Sequence, residues 1–271
     1  MAQIALPRFT KFQAAVHIGA LLPLILLVIN WSLDNLTFNP VQALELRTGK
    51  YALILLILSL ACTPINTIFG FSQVLKVRRP LGLYAFFYAS IHFLIFIGLD
   101  YQFDFVLLQE AVFEKRYALV GFAAGVILLV LALTSTRGWM KRLGKTWSRI
   151  HRFVYLAGIL VIIHYIWLVK SDIRVPLLYG GVVLFLLVAR IPFVRKHLSR
   201  IRQLGFVRTL NQFPNSLRSK MVANSYLARS SEITRLVNQF LPKYPRSSLF
   251  ADYFLWWKKL TRRRSRVQGG R

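Results

Sequence analysis

The 271-residue sequence contains a single cysteine, Cys62, and only nine acidic residues against 36 lysines and arginines. A lone cysteine excludes an internal disulfide, a CxxC redox pair and a cysteine-ligated iron–sulfur cluster. The sequence also lacks a GxGxxG fingerprint and a P-loop, the two common glycine-rich motifs that bind nucleotide phosphates. These absences exclude several familiar classes of redox and nucleotide-binding protein.

Charge and hydropathy together indicate a membrane protein. The formal net charge is +27, yet 56% of the residues are hydrophobic and the mean hydropathy is +0.51. A nucleic-acid-binding protein carries such a charge on a soluble surface, whereas here the basic residues stand between and after long apolar runs. The first run is too long for a signal-peptide core and has no small-residue cleavage site, so we expect it to be retained.

Six segments are long and apolar enough to be transmembrane helices, which need about 20 apolar residues each. They are Phe12–Trp31, Tyr51–Phe69, Leu81–Leu99, Tyr117–Thr134, Phe153–Val169 and Val175–Val194, named spans one to six below. None of these segments contains a carboxylate. We therefore predict an all-α integral membrane protein: a six-transmembrane-helix bundle over residues 12–195, between a segment 1–11 and a basic tail 196–271.

Loop charges predict how the bundle is oriented. The loops after spans two and four carry basic residues and no acids, whereas the loop after span three carries Asp100, Asp104, Glu110 and Glu114. Basic loops face the cytoplasm, so both termini are predicted to be cytoplasmic and spans three and five to run outward in parallel. The basic, aromatic-containing tail is expected to bind anionic lipid or a protein partner rather than nucleic acid.

Two histidines inside spans form the main candidate site. His92 in span three and His164 in span five each lie about eleven residues from the inner boundary, or roughly 16 Å along a helix. Two neutral imidazoles facing each other at one depth are what a six-coordinate b haem requires. The alternative is that each histidine hydrogen-bonds a backbone carbonyl in an ordinary packed bundle.

His151 is a candidate for a second, inner site. It lies thirteen residues before His164, roughly 20 Å along the helix and about 140° around it. An inner haem would need a partner on span three, and the residue fourteen positions before His92 is Arg78. Arginine cannot ligate iron, but it suits a propionate or a phosphate. His17, at a similar inner depth, is a further candidate.

Several strings in this sequence carry a family resemblance. They are RRPLGLYAFFY at 78–88 leading to His92, LTSTRGW at 133–139, LGKTW at 143–147, HRFVYL at 151–156 and HYIWLVK at 164–170. Residues 45–50, ending in RTGK, and the Thr-Pro pair at 63–64 also fit. Over roughly residues 10–195 the sequence resembles the MsrQ family, formerly YedZ, within the ferric-reductase-like transmembrane superfamily.

The resemblance implies haem b and FMN as cofactors. It implies that His92, His151 and His164 are haem-linked, although the superfamily usually has two histidines on its third helix, where this chain has one. The basic edge that Arg78 and Arg79 form with residues 137 and 141 is predicted to hold the FMN phosphate.

The resemblance also implies a role in the bacterial inner membrane. The chain would be a non-catalytic electron-transfer subunit that serves MsrP, a periplasmic molybdopterin-containing reductase that repairs methionine sulfoxide in envelope proteins. The tail departs from the family and lacks nucleotide-binding glycines, so electrons would come from a cytoplasmic flavin reductase or from quinol. Two alternatives stay open: a stand-alone transmembrane ferric or quinone reductase, and a colourless six-span permease or scaffold with structural histidines.

Overall fold

The computed structural model describes residues 10–169 and 172–200, and this part of the chain is helical. The helices are α1 Lys11–Ser32, α2 Pro40–Phe69, α3 Gln73–Ile95, α4 Phe105–Glu114, α5 Arg116–Leu133, α6 Arg137–Leu143, α7 Lys145–Ile150, α8 Phe153–Leu168 and α9 Arg174–Val188. A π-helical turn, Phe96–Asp100, continues α3. The all-α class is confirmed for these residues, while the basic tail from residue 201 onward lies outside them.

Within residues 10–169 and 172–200, five helical stretches are long and apolar enough to cross a membrane: α1, α2, α3 with its π turn, α5, and α7 together with α8. A sixth is reached if α9 and a following helix, Pro192–Arg200, count as one span bent by 80°. A continuous sixth span to Val194 is therefore wrong, because α9 ends at Val188. Proline lacks an N–H and disfavours helix in the residue before it, which accounts for a break ahead of Pro192.

Helix α2 begins eleven residues earlier than span two was predicted to begin. Asn39 caps it by accepting a hydrogen bond from the Gln42 N–H at 3.1 Å, and Pro40 occupies the first turn, where its missing N–H costs nothing. Residues interpreted as a loop are thus helical, and Glu45 lies within a candidate membrane span. The expectation that no span contains a carboxylate is therefore wrong for Glu45, and also for Asp100, the last residue of the α3 span.

The bundle is built on two closely packed helix pairs, α2 with α3 and α5 with α8. Small residues allow this approach, since Ala85 on α3 and Ala157 on α8 are each 0% exposed. Tyr88 is equally buried, and its hydroxyl donates to the Ala20 carbonyl at 2.8 Å, which ties α3 to α1. Large apolar side chains remain exposed along the outside of every long helix, as a lipid-facing surface requires.

Candidate functional site

The structure brings the rings of His92 on α3 and His164 on α8 next to each other in an edge-to-face arrangement. Their ring centroids are 6.2 Å apart and the ring planes lie at 82° to each other. His92 lies in the last turn of α3, and His164 lies four residues before the end of α8. Both imidazoles therefore lie near the same end of the bundle, as expected for two helices that run in parallel.

Backbone carbonyls of the neighbouring helices orient both rings. His92 Nδ1 donates to the Glu45 carbonyl at 3.0 Å, and His164 Nδ1 donates to the Tyr117 carbonyl at 2.7 Å. A carbonyl oxygen only accepts hydrogen bonds, so each Nδ1 must carry the proton. In the neutral imidazoles Nε2 then keeps its lone pair, which is the tautomer that a metal-ligating histidine needs.

A glycine lies against each imidazole. A β-carbon built at Gly49 on α2 would lie 3.3 Å from Nδ1 of His92, and one at Gly121 on α5 would lie 2.6 Å from Nδ1 of His164. Contacts below 3.0 Å essentially never occur for a β-carbon, so any side chain at Gly121 would displace the ring. The two glycines thus let each ring lie directly against the adjacent helix.

These two arrangements repeat one another along the chain. Each histidine contacts a carbonyl 47 residues earlier, and each glycine lies one helical turn after that carbonyl. Ala85 and Ala157, both 0% exposed, precede their histidines by the same seven residues. The α2–α3 and α5–α8 pairs are therefore equivalent halves that meet at the two rings. Sequence reasoning missed this repeat, although the equal glycine-to-histidine spacing was visible in it.

The separation of the rings is compatible with two imidazoles bound to one metal ion and also with ordinary edge-to-face packing. With about 2.0 Å for a metal–imidazole bond and about 1.1 Å from the nitrogen to the ring centre, opposed imidazoles have centroids about 6 Å apart. The observed 6.2 Å agrees with this separation. Among the described residues, no group of three or more His, Cys, Asp or Glu side chains is placed to hold a metal ion.

His151 has different surroundings from the other two. Its ring stacks on Trp147 with centroids 4.1 Å apart, and its Nε2 lies 3.2 Å from the Thr134 hydroxyl. In the repeat, its counterpart in the first half is Arg79, which cannot bind iron. His17, the remaining candidate inside a span, lies with Nδ1 2.8 Å from the Tyr84 hydroxyl.

The residues of the predicted basic edge differ in their exposure. Arg78 is partly buried, and its Nη1 donates to the Thr63 hydroxyl at 3.3 Å, whereas Arg79 is exposed. Arg137 and Lys141 are exposed as well. A further arginine that sequence reasoning passed over, Arg190, points into the bundle near Arg78.

The connection between α4 and α5 carries a cation near the histidine pair. Lys115 Nζ donates to the Tyr101 hydroxyl at 2.7 Å, and this hydrogen bond raises the pKa of Lys115. Tyr117, whose carbonyl holds His164, follows two residues later. The lysine therefore stays charged at this end of the bundle.

Comparison with known proteins identifies the family. Residues 48–162 match the family described as the ferric reductase like transmembrane component. The chain is 44% identical over 181 residues to the protein-methionine-sulfoxide reductase heme-binding subunit MsrQ of Xanthomonas euvesicatoria. The aligned region covers 65% of this chain and 83% of that protein. The MsrQ of Rhodospirillum rubrum is 41% identical over 189 residues, covering 69% and 91%.

The chain belongs to the MsrQ family. The resemblance seen in the sequence is thus confirmed. With its membrane-crossing helices and its bacterial MsrQ relatives, the chain is a multi-pass protein of the bacterial inner membrane. The matched residues 48–162 include Gly49, His92, Gly121 and His151, and His164 lies two residues beyond the end of the match.

Proposed function

We propose that this MsrQ family member is a haem-b-binding electron-transfer subunit. The observation that carries the proposal is the His92–His164 pair, with rings 6.2 Å apart and both Nδ1 atoms hydrogen-bonded to carbonyls. The printed name of the curated relatives, heme-binding subunit of a protein-methionine-sulfoxide reductase, supports the same role. Structural histidines would account for the hydrogen bonds and could also pack edge to face at this separation, so the heme-binding name of the relatives is what favours the ligand role over that alternative.

In this proposal Nε2 of His92 and Nε2 of His164 would hold the haem iron. The Glu45 and Tyr117 carbonyls hold the proton on Nδ1, keep each ring in one orientation and increase the basicity of Nε2. Haem would supply reversible one-electron chemistry, with a potential set by its axial ligands and by burial. The chain itself would carry out no reaction beyond passing electrons.

The partners follow from this role together with the predicted orientation. With both termini in the cytoplasm, the histidine pair lies near the periplasmic end of the bundle. We propose the periplasmic molybdopterin-containing subunit MsrP as acceptor, where methionine sulfoxide would take up two electrons and two protons and release water. A cytoplasmic flavin reductase or quinol would be the donor. FMN as a second cofactor, and His151 as a haem ligand, stay predictions.

A reduced-minus-oxidised absorption spectrum of the purified chain tests the haem proposal. We expect b-type bands in wild type, loss of most of their intensity in His92→Ala and in His164→Ala, and normal bands in the exposed control His197→Ala. Wild type grown with ample haem that shows no bands would favour the permease or scaffold alternative. Reduction of ferric iron or quinone without any periplasmic partner would favour the stand-alone reductase.

A further inference from the structure

Two arginines from different parts of the chain point at the same turn of α2. Arg78, near the start of α3, donates from Nη1 to the Thr63 hydroxyl at 3.3 Å, and Arg190, after α9, donates from Nη2 to the Leu60 carbonyl at 2.6 Å. Residues 60 and 63 are three positions apart and so lie on one face of α2. The two guanidinium groups are close enough for their charges to interact.

Every partner of these arginines in the described residues is electrically neutral. Arg190 also donates from Nη1 to the Tyr155 hydroxyl at 3.1 Å and lies over the Tyr155 ring, 5.3 Å from its centre. Its Nε is buried and has no hydrogen-bond partner within the described part of the chain. Arginine does not lose its proton in proteins, so both positive charges persist.

The acids of the described residues lie at the opposite ends of the same helices. Glu45 is near the start of α2, Asp100 ends the π turn after α3, and Asp172 precedes α9. The others lie in the α1–α2 and α3–α5 connections. None of these acids is close enough to neutralise the two arginines. Arg78 lies near the start of α3, Arg190 lies after α9, and both face the last turns of α2.

The side chains of Arg78 and Arg190 do not both reach outward to the lipid headgroups. Arginines at helix ends often reach outward to lipid headgroups. Arg190 instead turns inward, since the residue whose carbonyl accepts its hydrogen bond, Leu60, is 1% exposed. Two inward-facing cations without an anion are strongly unfavourable in a membrane bundle.

We infer that Arg78 and Arg190 form an anion site at the predicted cytoplasmic end of the bundle and that its ligand is a phosphate group. Guanidinium groups bind phosphate through paired N–H donors, and a phosphate has enough oxygens and charge to serve both arginines at once. The Thr63 and Tyr155 hydroxyls add neutral donors beside them. The phosphate belongs either to an inner-leaflet phospholipid or to a soluble phosphate ester, and the site does not depend on haem binding at the other end.

Native mass spectrometry of the delipidated full-length protein, in a phosphate-free detergent, tests this inference. Phosphatidylglycerol is compared with diacylglycerol, and flavin mononucleotide with riboflavin, so that each pair differs by its phosphate-containing group. We expect one phosphate-bearing probe to bind wild type at least ~10-fold more tightly than its phosphate-free counterpart. The probe that does so identifies the source of the phosphate.

Three variants locate the site. Arg78→Gln and Arg190→Gln are each expected to weaken the preferred probe ~10-fold or more, and Arg190→Lys by less, because it keeps the charge and loses the paired donors. The exposed neighbour provides the matched control, Arg79→Gln, which should bind like wild type. The inference is overturned if wild type shows no preference for either phosphate, or if Arg79→Gln weakens binding as much as Arg190→Gln. The wild-type comparison decides the matter even if a glutamine variant fails to fold.

Discussion

Gly121 and His164 are in such close contact that a β-carbon on the glycine would lie 2.6 Å from the imidazole Nδ1. The equivalent contact in the first half, between Gly49 and His92, is looser at 3.3 Å. Both glycines follow by one turn the residue whose carbonyl holds the ring. In each half of the bundle, the position of the histidine is therefore set by a backbone carbonyl that accepts its hydrogen bond and by a glycine that leaves room for the ring.

The first prediction follows from the difference between these two contacts. Gly121→Ala should push His164 away from its carbonyl and remove more than half of the bound haem, whereas Gly49→Ala should retain most of it. Haem per protein, from a pyridine haemochrome assay, is the measurement. Gly125→Ala is the matched control on the same helix, because a β-carbon there meets nothing within 4 Å. Equal haem content in all three variants would contradict the role given to Gly121.

The second prediction concerns the relative orientation of the axial ligands. The ring planes of His92 and His164 lie at 82°, close to perpendicular. If both rings ligate one iron in this orientation, the oxidised protein should show the highly anisotropic low-spin electron paramagnetic resonance signal of perpendicular imidazoles. A rhombic low-spin signal, typical of parallel ring planes, would show that the rings do not keep this orientation.

The third prediction tests the orientation of the bundle. Single cysteines are introduced at Glu110 and at Lys141, both exposed positions, in a Cys62→Ser background. A membrane-impermeant thiol reagent added to the periplasmic side should label residue 110 and leave residue 141 unlabelled until the membrane is opened. The reverse pattern would place the histidine pair near the cytoplasm and exclude a periplasmic acceptor.

The fourth prediction concerns the link between α1 and α3. Tyr88 is 0% exposed, and its hydroxyl donates to the Ala20 carbonyl at 2.8 Å. Tyr88→Phe should lower the unfolding free energy by about 1 kcal/mol through loss of this hydrogen bond. Tyr88→Ala should cost about 3–5 kcal/mol, because it also leaves a cavity. Thermal unfolding measures both, with Phe87→Leu, at a 41% exposed neighbour, as the control.

Much of the fold could be predicted because a membrane helix is recognisable in the sequence as a long run of apolar residues. The predicted helix boundaries were least accurate where hydropathy alone did not mark them. The polar first turns of α2, with Glu45 and Lys50, were interpreted as a loop, although their cap and first-turn proline favour helix. The sixth span was drawn through Pro192 because its hydropathy continues across the break.

The sequence predicted the two histidines of the candidate site but not the groups that hold them. Depth along parallel spans predicted that His92 and His164 would meet, because helical rise converts residue number into distance. What holds them could not be predicted in the same way, since the Glu45 and Tyr117 contacts use backbone carbonyls that every residue has. Arg190 was passed over because nothing in its own neighbourhood distinguishes it from an ordinary basic residue at a helix end.

The sequence by itself determined the class of the protein, the approximate location of its apolar helices, its family and the positions of its histidines along those helices. These follow from composition and helical periodicity, which are local along the chain. Only the tertiary structure decided that the rings lie 6.2 Å apart, that Gly49 and Gly121 lie against them, and that Arg78 and Arg190 share a turn of α2 with no counterion among the described residues. Those relationships depend on how helices distant in sequence rotate and pack against each other, and no local pattern encodes that rotation.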